Sequence, residues 1–259
     1  MEEIIYRELA KKYGLPASFI LKDYYLMRLL QYVSLYGNNR FVLTGGTAIN
    51  KVYLKDMARF SEDADFELSK RSEMKATIKL IDRIKFLAKD FVKTDRRLLK
   101  VYCQVDFSYL SLNNFSDNVR LDVALNEVAD KSSYKIVDEI ISPFSQERAY
   151  KLAVYTLEEL LARKLYAVYR RTEGKDLYDI FYSLNLTDKK KFYSAGKRFF
   201  NKKRLDLSRT ILKIIDKLRN LDDKYIAAKT NMYIPLALRP SNWKIVANSI
   251  ADYLLEIIA

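Results

Sequence analysis

The sequence predicts an α+β domain followed by an all-helical domain. Two observations favour this order. Segments with strand-like patterning all lie before residue 130, and from about Thr156 onward the apolar residues recur mainly at spacings of three and four. The region Asp130–Pro143 is the expected boundary, and we assign the two domains to residues 1–145 and 146–259.

Amphipathic helices are predicted at the start of the chain. Residues 2–13 and 17–35 carry apolar side chains three and four positions apart, which places them on one helical face. A longer helical pattern covers roughly residues 73–91. The apolar stripe of the second helix consists of Ile20, Tyr24, Met27, Leu30 and Val33.

Short strands are interleaved with these helices. The apolar run Phe41–Thr44 ends in Gly45 and Gly46, which predicts a buried strand that turns tightly into a helix from Thr47 to about Lys55. Alternating patterns predict further strands at 62–68, 101–107 and 119–125. In the second half, helices are expected to break at Gly174, near 185–188, and at Pro235 and Pro240.

Residue composition excludes several kinds of chemistry. The chain has no histidine and one cysteine, Cys103. Ser-His-Asp and Cys-His catalysis, histidine-ligated zinc and disulfides are therefore excluded. Catalysis would have to use Asp, Glu, Lys, Arg, Ser, Thr or Tyr, together with a hard metal bound by oxygen atoms. The sequence shows neither a targeting segment nor a long apolar run, so we expect a cytoplasmic protein without membrane contact.

Positive charge is concentrated in the second half. The 259 residues carry a net charge of +13, and residues 186–220 alone contribute +9. Such a concentrated positive field attracts polyanions, of which RNA and DNA are the commonest. A lysine-rich helix face that is merely solvated would give the same composition.

Three acidic residues have the pattern of a metal site. Asp63 and Asp65 point to the same side of a strand, while Ala64 points into the core. Asp122 lies between core-facing residues of another strand, and Asp106 is the competing third acid. Carboxylates brought together from two strands repel one another unless a cation lies between them. The pattern therefore predicts one or two Mg²⁺ ions held for phosphoryl transfer.

The Gly45-Gly46-Thr47 turn has the composition of a phosphate-binding turn. Glycines let a phosphate approach the backbone, and the following helix start offers free N–H groups. Thr47 has two open roles, as a donor to the phosphate or as a helix cap. The chain contains neither of the two common glycine-rich nucleotide motifs, GxxxxGK and GxGxxG.

Five separated segments resemble motifs of the AbiEii/AbiGii toxin family of nucleotidyltransferases, which belongs to the DNA polymerase β-like superfamily. They are Lys22–Tyr25, Thr44–Ala48, Arg59–Phe66, Leu157–Ala167 and Lys175–Ile180. Together they span roughly residues 20–185. The sequence departs from the family pattern at Ala64, where isoleucine is usual, and at Thr47, where serine is common in the superfamily.

The resemblance implies a polymerase β-like fold, with a mixed sheet flanked by helices, and dependence on an NTP and Mg²⁺. GTP and CTP both stay open as the nucleotide. It also implies the toxin of a toxin–antitoxin or phage-defence system, with a cognate antitoxin as a candidate partner. Some relatives act on tRNA ends, so an RNA acceptor such as a tRNA 3′ end is expected.

The resemblance also implies roles for individual residues. Lys164 would contact the β or γ phosphate, Asp176 and Asp179 would belong to the catalytic set, and Ser61 would help to bind the nucleotide. With the residue pattern, the expected metal ligands are Asp63, Asp65 and Asp122, and the expected nucleotide-binding turn is Gly45, Gly46 and Thr47.

The sequence therefore predicts an enzyme that transfers an NMP from an NTP to RNA. Two alternatives stay open at this stage. One is nucleotidylation of a protein side chain. The other is a nucleotide- or RNA-binding module without turnover.

Overall fold

The computed structural model describes residues 2–37, 39–71 and 74–258, which form two compact units. The first unit extends to Tyr155 and the second begins at Thr156. This boundary lies later than the expected one at 145/146. The reason is that the last strand of the sheet continues to Tyr155 and pairs with two neighbouring strands.

The first unit is a seven-stranded mixed sheet with helices. Its strands are β1 (Phe41–Thr44), β2 (Asp63–Leu68), β3 (Lys93–Leu98), β4 (Tyr102–Leu110), β5 (Ser116–Val128), β6 (Tyr134–Ser142) and β7 (Ser145–Tyr155). Its α-helices are α1 (Glu2–Tyr13), α2 (Ala17–Tyr36), α3 (Gly45–Ala48) and α4 (Met74–Leu87).

The strand order is β3-β4-β5-β2-β1-β7-β6. The pairs β2–β5 and β1–β7 are parallel, and the other neighbours are antiparallel. Ala64, Phe66, Leu121 and Val123 are buried on one face at the centre of this sheet. Because side chains alternate along a strand, that buried face fixes the register of β2 against β5.

The predicted helices and strands of the first unit are confirmed, but three strands were missed. β3 has no buried residue, so it lacks the alternation that identifies a strand. β6 and β7 form a hairpin whose outer parts mix charged and apolar side chains without a clear period. The helix expected from residue 73 begins within the described residues at Met74.

The helical segment after β1 departs from a regular α-helix. It starts at Gly45, continues as a π-helix over Ile49–Leu54 and ends as a 3₁₀ turn over Lys55–Met57. The wider turn of a π-helix often marks a functional position. Here it carries Lys51, whose side chain is almost completely buried.

Lys51 forms a buried ion pair with Asp23 of α2. Ser142 of β6 donates a hydrogen bond to Asp23 Oδ2 at 2.5 Å, and its Oγ lies 3.2 Å from Lys51 Nζ. The three side chains connect α2, the π-helix and the sheet at one point. Because the Lys51 charge is compensated mainly by Asp23, the pair fixes the position of the segment that follows the glycine turn.

We predict that Asp23→Asn destabilises the first unit by about 3–5 kcal/mol, because it leaves the buried Lys51 ammonium without its charge partner. The double variant Asp23→Asn/Lys51→Met should recover most of this loss. Urea denaturation followed by circular dichroism measures both. A double variant as unstable as the single one would contradict this account of the pair.

The second unit is helical, as predicted. Its α-helices are α5 (Leu157–Arg170), α6 (Gly174–Ser183), α7 (Lys189–Lys202), α8 (Leu207–Arg219), α9 (Asp223–Thr230) and α10 (Trp243–Ile258). The predicted breaks are confirmed: α6 starts at Gly174, Asp188 caps α7, and Pro235 and Pro240 lie between α9 and α10. Asp206 and Asp222 cap α8 and α9 in the same way.

The structure contains no candidate for a membrane-spanning helix in its described ranges, since none of the helices there combines sufficient length with sufficient hydropathy.

Candidate active site

Strand register brings the predicted acidic residues to one face of the sheet. In the parallel pair β2–β5, Asp65 lies opposite Asp122 and Asp63 lies opposite Arg120. In the antiparallel pair β1–β2, Thr44 lies opposite Asp65, so the glycine turn begins directly beside this aspartate. Residues at these paired positions point to the same side, away from the buried Ala64 and Phe66.

Asp122 is half-buried, and the hydrogen-bonding capacity of its carboxylate is only partly used. Its Oδ1 is buried and has no hydrogen-bond partner among the described residues. Burial raises the pKa of the Asp122 carboxyl, and the charges of Asp63 and Asp106 act in the same direction, against Arg120 and a hydrogen bond with Gln104. A buried carboxylate oxygen without a partner is costly unless something binds it.

Asp106, the alternative third carboxylate, is held by Arg120. Arg120 Nε donates to Asp106 Oδ1 at 2.9 Å, and the two residues are register partners in β4 and β5. Arg120 was not among the predicted site residues. Its position two residues before Asp122 on the same strand face was the signal that could have found it.

The first glycine of the turn has two independent reasons to be glycine. Gly45 has a φ of +71°, in the left-handed region that side chains disfavour. A Cβ added there would lie 2.4 Å from Asp65 Oδ2. The backbone of the turn therefore approaches the carboxylate more closely than any other residue type allows.

The Thr47 hydroxyl links this turn to the loop before β2. It donates to the carbonyl oxygen of Asp63, and Ser61 Oγ lies 2.7 Å from Thr47 Oγ1. Because the single Thr47 proton is used on Asp63, Ser61 is the donor in the second hydrogen bond. Thr47 and Ser61 are both buried, so in this structure their hydroxyls hold the backbone that carries Asp63.

Asn50 makes a second connection between the same two segments. Its Nδ2 donates to the carbonyl oxygen of Gly46 at 2.9 Å, and its Oδ1 accepts from the backbone N–H of Arg59 at 2.8 Å. Asn50 is fully buried. Sequence reasoning missed this residue, because an asparagine inside a predicted helix carries no distinctive signal.

The predicted residues of the second unit form their own cluster. Lys164 Nζ lies 2.7 Å from Asp176 Oδ1 and 2.8 Å from Asp179 Oδ2. Both aspartates are buried, and Arg171 Nε lies 3.5 Å from Asp176 Oδ2. The structure therefore brings Lys164, Asp176 and Asp179 together, with the ammonium fixed between two carboxylates.

The acids of the sheet suit a hard divalent cation. Mg²⁺ prefers oxygen donors, and two neighbouring strands supply them here. One of these oxygens, Asp122 Oδ1, is buried and has no hydrogen-bond partner within the described ranges. Within the described residues, no three acidic, histidine or cysteine side chains are yet close enough to hold a metal ion.

The fold is that of a nucleotidyltransferase. A family model described as "Nucleotidyl transferase AbiEii toxin, Type IV TA system" matches residues 28–247. The chain belongs to this AbiEii family, and it is a nucleotidyltransferase that transfers an NMP. The predictions of family, fold class and enzyme class are thereby confirmed.

Two solved structures share the fold at low sequence identity. A candidate nucleotidyltransferase from H. pylori has a TM-score of 0.61 and 14% identity, covering 94% of this chain and 96% of its own. MenT4, a nucleotidyltransferase toxin from Mycobacterium tuberculosis H37Rv, has a TM-score of 0.60 and 17% identity, covering 97% of this chain and 89% of its own. No curated protein matches this chain in sequence.

We predict that Gly45→Ala destabilises the first unit by about 1–2 kcal/mol through its positive φ, with a further loss from the clash with Asp65. Gly46→Ala is the matched control, because Gly46 lies in the helical conformation of α3. Denaturant midpoints measure the difference between the two. The double variant Gly45→Ala/Asp65→Ala should recover only the part of the stability loss that the clash with Asp65 causes. Equal midpoints for the two glycine variants would contradict the account of this turn.

Proposed function

We propose that this enzyme transfers an NMP from an NTP to an RNA acceptor, such as a tRNA 3′ end, in a Mg²⁺-dependent reaction. The proposal rests on one observation above all. Asp65 and Asp122 are register partners on one sheet face, and the Gly45 backbone lies against Asp65. Asp122 Oδ1 is buried and has no hydrogen-bond partner in the part of the chain that the structure describes.

The first unit contains residues suited to holding the triphosphate. The Gly45–Gly46 backbone at the start of the helical segment offers N–H groups to a phosphate. Thr47 and Ser61 keep that backbone in register with Asp63 through their hydrogen bonds. We propose that they support nucleotide binding in this way.

Asp63, Asp65 and Asp122 are the proposed metal ligands. A divalent cation held there would neutralise phosphate charge and lower the pKa of an acceptor hydroxyl. The acceptor hydroxyl releases its proton to solvent, and its oxygen forms a new bond to the α-phosphorus. The bond between the α-phosphorus and the α,β-bridging oxygen breaks, and pyrophosphate leaves with the electron pair. Arg120 pairs with Asp106 on the same face, which supports Asp122 as the proposed third ligand.

Lys164 keeps its proposed role as a phosphate-contacting cation on the strength of the family motif. Asp176 and Asp179 then act through it, since their carboxylates fix where the ammonium lies. A lysine held in this way contributes a positioned point charge rather than a mobile one.

The positive charge of the second unit supports a nucleic acid as the acceptor. Residues 186–220 carry +9, which favours a nucleic acid over a typical protein surface as the acceptor. RNA is preferred over DNA here by analogy with the activity of relatives.

The enzyme is incubated with Mg²⁺, total tRNA and each α-labelled NTP in turn. We predict that the NTP which serves as substrate transfers its label to RNA. Asp63→Asn/Asp65→Asn should lower labelling by about a hundredfold or more, because both ligands lose their charge. Asp138→Asn is the control, since it removes an exposed carboxylate from β6 of the same sheet.

Label on protein instead of RNA would overturn the proposed acceptor. Unchanged labelling in the double variant would overturn the proposed site.

We predict that Asp122→Asn and Asp106→Asn separate the two candidates for the third carboxylate. Asp122→Asn should reduce labelling about as much as the double variant, whereas Asp106→Asn should mainly weaken the sheet by releasing Arg120. Labelling per folded molecule measures the difference. A larger loss of labelling in Asp106→Asn than in Asp122→Asn would assign the third ligand to Asp106.

A further inference from the structure

The second unit contains a cleft between the end of α5 and the exposed side of α8. Its volume is about 680 Å³, and it is lined by Tyr169, Arg170, Leu212, Lys213, Asp216 and Lys217. A second cleft of about 410 Å³ shares Asp216 and Lys217 and continues to Tyr225 at the start of α9. We call the two together the α8 trough. Both clefts are shallow and open to solvent, so they suit an extended ligand better than an enclosed small molecule.

Three cations and two acids line the α8 trough. Within the ranges that the structure describes, Arg170, Lys213 and Lys217 form no ion pair with a carboxylate, whereas Lys189 and Arg198 of α7 pair with Glu256 and Glu159. The positive charge of the trough is therefore available to a ligand.

The two acids of the trough have local partners of their own. Asp222 accepts a hydrogen bond from the Tyr225 N–H at 3.0 Å as the cap of α9, and Asp216 accepts one from Asn220 at 3.3 Å. The capping aspartate is stabilised by the helix start, which reduces its effect on the positive field of the trough.

Lys217 is held in position before any ligand binds. Its Nζ donates to the carbonyl oxygen of Tyr169 at 2.5 Å and lies 5.8 Å from the centre of the Tyr169 ring. A carbonyl oxygen carries no net charge, so the ammonium keeps its full charge. The trough thus has an aromatic ring beside a fixed cation at one end.

Exposed apolar surface accompanies these cations. Leu212 is 53% exposed and Tyr225 is 58% exposed. Alternation of cations with aromatic faces suits a single-stranded nucleic acid, whose phosphates contact the cations while its bases stack on the rings. An acidic protein segment would use the cations but would leave the two tyrosine rings without a matching partner.

We propose that the α8 trough binds a single-stranded segment of the RNA acceptor. Arg170, Lys213 and Lys217 contact consecutive phosphates, and Tyr169 and Tyr225 stack with bases. This inference rests on the proposed RNA acceptor and assigns that acceptor a surface which the nucleotidyltransferase motifs do not include.

The test compares two triple variants that remove equal charge from the second unit. The trough variant is Arg170→Gln/Lys213→Gln/Lys217→Gln. The control is Lys190→Gln/Lys191→Gln/Lys197→Gln, which changes exposed lysines of α7 outside the trough. Tyr225→Ala is a further variant that removes no charge and keeps the backbone N–H that Asp222 caps.

Fluorescence anisotropy with a labelled single-stranded RNA of about a dozen nucleotides measures the Kd over a range of salt concentrations. The trough variant should raise the Kd about tenfold or more, and it should lower the slope of log Kd against log salt concentration by about 2. The control variant should change both the Kd and this slope less than the trough variant does. Tyr225→Ala should raise the Kd about fivefold or more with an unchanged slope. Equal losses in the two triple variants, or no binding by the wild-type enzyme, would overturn the inference.

Transfer of label to tRNA distinguishes this inference from the proposed function. If the trough variant labels RNA as well as the wild-type enzyme does at low RNA concentration, the trough is not the acceptor surface, and the proposed function stands. If the wild-type enzyme labels protein only, the proposed acceptor fails, and the trough inference fails with it.

Discussion

The site depends on the register of β2 against β5. The buried side chains of Ala64, Phe66, Leu121 and Val123 fix that register, because a slip by one residue would turn them to the other face of the sheet. The same register holds Asp65 beside Asp122 on the opposite face. Hydrophobic burial on one side of the sheet thus stabilises a concentration of negative charge on the other side, which the carboxylates alone would disfavour.

The remaining features of the first unit keep the backbone around these acids in place. Gly45 brings the turn against Asp65, Thr47 and Ser61 connect it to the Asp63 loop, and Asn50 connects it to Arg59. Behind the turn, the buried Asp23–Lys51 pair joins the π-helix to α2. These contacts leave little freedom in the backbone that we propose to hold the triphosphate, so its geometry is formed before the nucleotide binds.

Some charged residues of the two units form ion pairs, and others do not. Asp106, Asp176 and Asp179 each pair with a cation, and Lys164 and Arg198 each pair with a carboxylate. Asp122 Oδ1 and the cations of the α8 trough lack such partners within the described residues. Groups of this second kind gain most from binding a ligand, which is why the proposals on the metal and on the RNA rest on them.

The sequence predicted those parts of the structure that have a strong local signal. The helices, the central strands and the Asp63–Asp65 pattern have clear periodicity, and the Gly45–Gly46 turn has a distinctive composition. The edge strand β3 was missed because none of its residues is buried, and the β6–β7 hairpin was missed because its buried residues do not alternate with exposed ones. The Lys51–Asp23 pair joins distant parts of the chain, so no local pattern reveals it. The strand position of Arg120 was visible in the sequence, but its pairing with Asp106 depends on the register of β4 against β5. The domain boundary was placed early because the β7 pairing was not visible in the sequence.

The most direct test of the account is the binding of Mn²⁺ as a paramagnetic substitute for Mg²⁺, measured by water-proton relaxation in the absence of nucleotide and RNA. The wild-type enzyme and Asp138→Asn should bind Mn²⁺ with the same affinity, while Asp65→Asn and Asp122→Asn should each lose most of the relaxation enhancement. Unchanged enhancement in both of these variants, with the fold intact by circular dichroism, would contradict the claim that the two register-paired carboxylates hold the cation.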